Sequence, residues 1–75
     1  MNKEQRKRIE DLLADLSSVL DEIECIKADE EDKYDNLPEQ FQDAEVGERI
    51  QDGIDALDDA CSYLSDAIDS LGGVC

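Results

Sequence analysis

Two rows of apolar residues, each advancing by alternating steps of four and three, set the limits on what this chain can fold into. The first row runs Ile9, Leu12, Leu16, Val19, Ile23 and Ile26. The second runs Val46, Ile50, Gly53, Leu57, Ala60, Leu64, Ala67 and Leu71. A mean step near 3.5 keeps successive side chains on one side of a helix, whereas a strand would need a period of two. Each row therefore marks one amphipathic helix. Between them stands the chain's single proline, Pro38. Proline and the residue before it disfavour helix, so the two rows belong to separate helices.

Two helices of similar length, each with one apolar stripe and a short connection, predict an all-α antiparallel two-helix hairpin of coiled-coil type. The expected boundaries are a helix over 3–33, a linker over 34–43, a second helix over 44–71 and a tail over 72–75. Gly72 and Gly73 close the second helix, as glycine commonly does at helix C-termini. In the linker, Pro38 suits the start of a short helical turn through Phe41. Tyr34, Leu37 and Phe41 are expected to cap the open end of the hairpin. The first stripe fades after Ile26, so residues 29–33 are expected to project into water.

The expected packing seam is Ile9, Leu12, Leu16, Val19 and Ile23 on the first helix, against Ile50, Gly53, Leu57, Ala60, Leu64, Ala67 and Leu71 on the second. In the register where Ile50, Leu57, Leu64 and Leu71 occupy one core position, Gly53, Ala60 and Ala67 occupy the other. A small residue in every heptad would let the helices approach closely. Gly53 costs about 1 kcal/mol relative to alanine inside a helix. It is therefore expected where two backbones must come close. Leu13 and Leu20 flank the first stripe, and Ile54, Cys61 and Ile68 flank the second. The stripe is wider than one partner helix covers, which predicts dimerisation into a four-helix bundle.

At 75 residues the chain makes one domain at most. Aromatic residues are 4% of it, so the core must be thin and aliphatic. The net charge is −15, from 22 acidic and 7 basic residues. Four of the cations, Lys3, Arg6, Lys7 and Arg8, crowd the start of the chain. The acidic remainder repels free nucleic acid and anionic lipid and attracts basic protein surfaces. No apolar run follows the basic start, so it does not read as a secretory leader, and no stretch is apolar enough to span a membrane. Three cysteines (Cys25, Cys61 and Cys75) at irregular spacing, with no histidine, form neither a disulfide framework nor a zinc site. They read as reduced thiols in a cytoplasm.

Catalysis is not expected. There is no histidine, no phosphate-binding glycine loop and no hydrolase elbow, and the paired acids Glu30–Glu31 and Asp58–Asp59 point apart on a helix. Residues 28–41 are acidic, but they lack the central glycine of a calcium loop and contain Pro38, so no metal or cofactor is expected. The functional lead is the row Asp52, Asp55, Asp59, Asp66 and Asp69 on the second helix. The row is broken only by Ser62, and its steps of three and four place neighbouring carboxylates about 5–6 Å apart along the axis, comparable to though somewhat tighter than phosphate spacing on a duplex strand. A rigid row of that kind suits a basic nucleic-acid-binding groove on another protein. Such a row is also what an ordinary solvated helix face looks like. The basic start either solubilises a helix end, pairs with Asp66 and Asp69 across the hairpin, or, in an oligomer, holds an anionic ligand.

The opening MNKEQRKRIE and the run DNLPEQFQDAEVGERIQDGIDALDDA resemble a group of small acidic proteins encoded by phages and prophages of Gram-positive bacteria. The resemblance lies in Asp35 to Glu39, in Glu45 to Gly47, and in the heptads from Gly53 to Leu71. This chain departs from the pattern at Gly53, where alanine is expected, and in its three cysteines. The group carries no catalytic or binding residues to transfer. What the resemblance implies is a setting, in which a short non-enzymatic protein binds and blocks a host defence or nucleic-acid-handling protein. A structural or scaffolding module and a sponge for an anionic signalling molecule are the alternatives.

Overall fold

In a computed structural model, described over residues 1–74, the chain is helical with no strand. Helix α1 spans Lys3–Asp35, α2 spans Glu39–Gln42 and α3 spans Glu45–Gly72. The two long helices pack against each other through the short α2 corner, forming a hairpin whose Cα atoms extend over 58 × 14 × 12 Å.

The start of α1 is fixed by a reciprocal cap. The Asn2 side chain accepts from the Gln5 backbone N–H at 2.8 Å, and the Gln5 side chain accepts from the Asn2 N–H at 3.3 Å. Two amides that the first turn leaves without helical partners are thereby satisfied. At the other end, α1 continues through Tyr34 to Asp35. The corner is then tied by the Gln42 side-chain amide, which donates to the carbonyls of Tyr34 at 3.2 Å and Leu37 at 3.3 Å. Tyr34 and Leu37 are partly buried there, but Phe41 is 45% exposed and does not cap the hairpin. It precedes Gln42 on a single turn whose buried side is taken by that amide. Helix α3 closes without a left-handed glycine. Gly73 has φ −71°, and its N–H bonds the Asp69 carbonyl at 3.2 Å.

The seam uses a different pair of rows from the one expected. On α1 the partly buried positions are Ile9, Leu13, Leu16, Leu20, Ile23, Lys27, Glu30 and Tyr34. On α3 they include Ile50, Ile54, Leu57, Cys61, Leu64, Ile68 and Leu71, with Ile54 fully buried. Leu13 and Leu20 thus replace Leu12 and Val19, which are 55% and 44% exposed. Ile54, Cys61 and Ile68 are inside, and Ala67 is exposed while Gly53 and Ala60 border the seam. On α3 the reason is area, since Ile54 and Ile68 remove far more apolar surface from water than Gly53 and Ala67 can. On α1 the Leu13 row ends at Tyr34 in the corner, whereas the Leu12 row ends at the exposed Lys33. The seam also does not stop at Ile26. It continues through Lys27 and Glu30, whose aliphatic stems pack while their charges reach outward.

Gly53 is not a point of close approach. A Cβ built there meets no atom within 4 Å outside its own helix. The tight glycine is Gly47, which is buried, and whose Cβ would stand 2.1 Å from the Gln42 carbonyl oxygen. The close contact is between the first turn of α3 and the corner helix, and not between the long helices.

Candidate functional site

Two long surfaces remain once the seam is formed, and they lie on opposite sides of α3. The outward side carries Asp52, Asp55, Asp59, Asp66 and Asp69, all exposed. They belong to one uninterrupted helix, so their mutual spacing is fixed by the backbone. None of the five takes part in an ion pair among the described residues. Asp55 accepts a hydrogen bond from the Gln51 amide at 3.2 Å. No ion pair joins Lys3, Lys7 or Arg8 to Asp66 or Asp69 among the described residues, and both acids are exposed. Lys3, Arg6, Lys7 and Arg8 lie exposed on the first turns of α1.

One cluster of ion pairs, centred on Lys27, marks the polar edge of the hairpin. Lys27 Nζ lies 2.7 Å from Asp58 Oδ1 and 3.8 Å from Glu31 Oε1. The hydrogen bond to Asp58 holds the Lys27 ammonium above its ordinary range, against some desolvation. Lys33 pairs with Glu30 at 2.8 Å and is raised for the same reason, while Arg49 pairs with Glu45 at 2.9 Å. Because Glu31 and Asp58 share Lys27, their sides of α1 and α3 form one edge of the hairpin. The other flanks of both helices must then share the opposite face.

That opposite face is apolar. It holds Leu12, Val19 and Ile26 from α1, and Val46, Gly53, Ala60 and Ala67 from α3. Ile26 is 52% exposed and Val46 47%. Near the chain start, a shallow groove of about 280 Å³ between Met1, Gln5, Arg8, Ile9 and Leu12 opens on the same side. Sequence spacing places these residues on the stripe, but it does not separate the two rows that enter the seam from the one left outside. Among the described residues no group of three or more His, Cys, Asp or Glu side chains is arranged to hold a metal ion. Cys61 lies in the seam and Cys25 is exposed, both as free thiols. Cys75 lies outside the described residues. No described helix is long and apolar enough to cross a membrane.

No protein-family profile matches the chain, and neither a curated protein nor a solved structure matches it.

Proposed function

We propose that this chain is a non-enzymatic binding protein that seats the acidic side of α3 in a basic, nucleic-acid-binding groove of a partner protein. The observation that carries this reading is the row Asp52, Asp55, Asp59, Asp66 and Asp69, exposed along one rigid helix and free of internal ion pairs among the described residues. Carboxylates already paired within the hairpin would have less to offer a cationic surface. The resemblance to small phage and prophage proteins favours a host defence or nucleic-acid-handling protein as the target, and blockade as the outcome. The cytoplasm of the host cell is the compartment that goes with this role.

The same reading takes the working unit to be a homodimer, because Leu12, Val19 and Ile26 are left exposed on a short chain with a thin core.

The test is retention of a partner from host lysate by the wild-type chain and by Asp52→Lys, Asp59→Lys, Asp66→Lys combined. The expected partner is released both by moderate salt and by competing duplex DNA, and the triple variant fails to retain it while keeping its helicity. A triple variant that retains the same partner equally well overturns the acidic-row reading. Leu57→Asp and Leu64→Asp do not test the scaffold alternative. Both residues lie inside the seam, so those variants would break the hairpin itself.

A further inference from the structure

We infer that the apolar face of the hairpin is covered by a second copy of this chain, related by a two-fold axis parallel to the hairpin's long axis. The inference rests on the dimer reading above and adds to it the face, the axis and the register.

Four observations point to a second copy. The first is charge. Acids make up 22 of the 75 residues. None occurs in the rows Leu12, Val19, Ile26 or Val46, Gly53, Ala60, Ala67. Solvated helix faces in this chain are acidic elsewhere, so an acid-free face shared by both helices is one set apart from water.

The second is shape. One side of the face bears large residues every seven positions and the other bears small ones at the same interval. The hairpin's own register brings them level. Lys27 meets Asp58, and Glu31 and Tyr34 share a groove with Gln51 and Ile54. That register sets Ile26 level with Ala60, and Val19 level with Ala67. A two-fold axis along the rod preserves height while exchanging the helices. It therefore lays Ile26 of the second copy over Ala60, and Val19 of the second copy over Ala67, twice over. Every helix then runs antiparallel to both of its neighbours, as in an up-and-down bundle. A two-fold axis across the rod would instead stack α1 on α1 and oppose large residues to large.

The third is the border of the face. Beside the apolar row, α1 carries Asp15, Glu22 and Asp29, whereas α3 carries Ala56, Tyr63 and Ser70 at the corresponding place. The longitudinal axis sets the acids of each copy against this uncharged row of the other. Like charges do not meet across the joint, despite a net charge of −15 on each chain. Tyr63, 71% exposed on the single chain, comes level with Glu22 of the second copy, where its hydroxyl can donate.

The fourth is size. From Val46 to Ala67 the face runs about 32 Å at 1.5 Å per residue and is two helices, about 20 Å, wide. That gives about 600 Å² per copy, the lower end of the range for specific interfaces.

The experiment is mass by light scattering and sedimentation, under reducing conditions, over about 1 to 200 µM chain. The wild type is expected at twice 8.4 kDa in the upper part of that range. Val19→Glu buries an unpaired charge in the joint and is expected to weaken the dimer about 100-fold. Ser62→Glu, on the outward side of α3, leaves it unchanged. The exchange Ile26→Ala with Ala60→Ile separates register from hydrophobicity. It restores a dimer that Ala60→Ile alone weakens, even if Val19→Glu fails to fold. A wild type that stays monomeric at 200 µM overturns dimerisation itself. A dimer indifferent to Val19→Glu overturns the face, and one that the exchange does not rescue overturns the register. The acidic-row reading survives all three failures, because its residues lie on the other side of α3.

Discussion

The Lys27 ammonium crosses the seam to Asp58, Nζ to Oδ1 2.7 Å, from a position that an apolar residue would ordinarily fill. Its side chain is only 27% exposed, and its charge is drawn to one edge of the hairpin. The pair links α1 to α3 and identifies which flanks of the two helices lie together. A polar residue at a seam position commonly fixes helix alignment at some loss of stability.

Lys27→Met is therefore expected to raise the melting temperature at neutral pH, where it trades a tethered charge for apolar contact. The pH dependence has a definite sign. The folded pKa of Lys27 is raised above its ordinary 10.5 by the Asp58 hydrogen bond. Its contribution to folding is fully present below 10.5 and is lost as pH climbs through the folded value. The gap in melting temperature between the variant and the wild type should widen above about pH 10.5. A gap that stays constant from pH 8 to 12 would mean that the pair contributes nothing to stability.

The two interior glycines of α3 should respond oppositely to the same substitution. Gly53→Ala adds a methyl group to open space on a helix and is expected to stabilise by about 0.5–1 kcal/mol. Gly47→Ala drives a methyl group against the backbone carbonyls of Gln42 and Phe41, which no side-chain rotation relieves. A loss of about 1–3 kcal/mol is expected, as for other overpacked sites. Urea denaturation of both variants checks the contrast, and equal shifts in one direction would refute it.

Salt should strengthen the fold and weaken partner binding. A net charge of −15 on a narrow rod repels itself, and at about 0.15 M ionic strength that repulsion is screened beyond about 8 Å. Thermal melts at 10 and 300 mM salt should show a higher midpoint at the higher concentration. Affinity of the Asp52–Asp69 row for a basic partner should fall over the same interval.

The existence of both long helices and the corner could be read from step lengths and Pro38 alone. So could the Asn2–Gln5 cap, since Asn followed three residues later by Gln is a recognised start signal. The choice of seam was harder. Each helix carries three adjacent apolar rows, such as Leu12 with Leu13 and Leu16, and spacing treats them alike. What selects the Leu13 row is its arrival at Tyr34 in the corner, and what selects the Ile54 row is the bulk of Ile54 and Ile68. Gly53 stands out in the sequence because it interrupts a repeat, yet the glycine whose site has no room for a side chain is Gly47. That need arises from where α2 folds back, a tertiary event with no local pattern. The acidic row was legible because exposure follows directly once the opposite side of the helix is buried. The apolar face on the other flank was not, because it exists only after the seam has claimed its two rows.

The elongated hairpin, whose Cα atoms extend over 58 × 14 × 12 Å, has a hydrodynamic consequence. With side chains included, a particle roughly three times longer than it is wide tumbles slowly about its short axes and meets more friction than a sphere of equal mass. The single chain will elute from a gel-filtration column ahead of compact 8.4 kDa standards and will show a raised fluorescence anisotropy. Side-by-side pairing thickens the rod without lengthening it. Doubling the mass therefore lowers the frictional ratio and moves the elution volume by less than a globular calibration would assign.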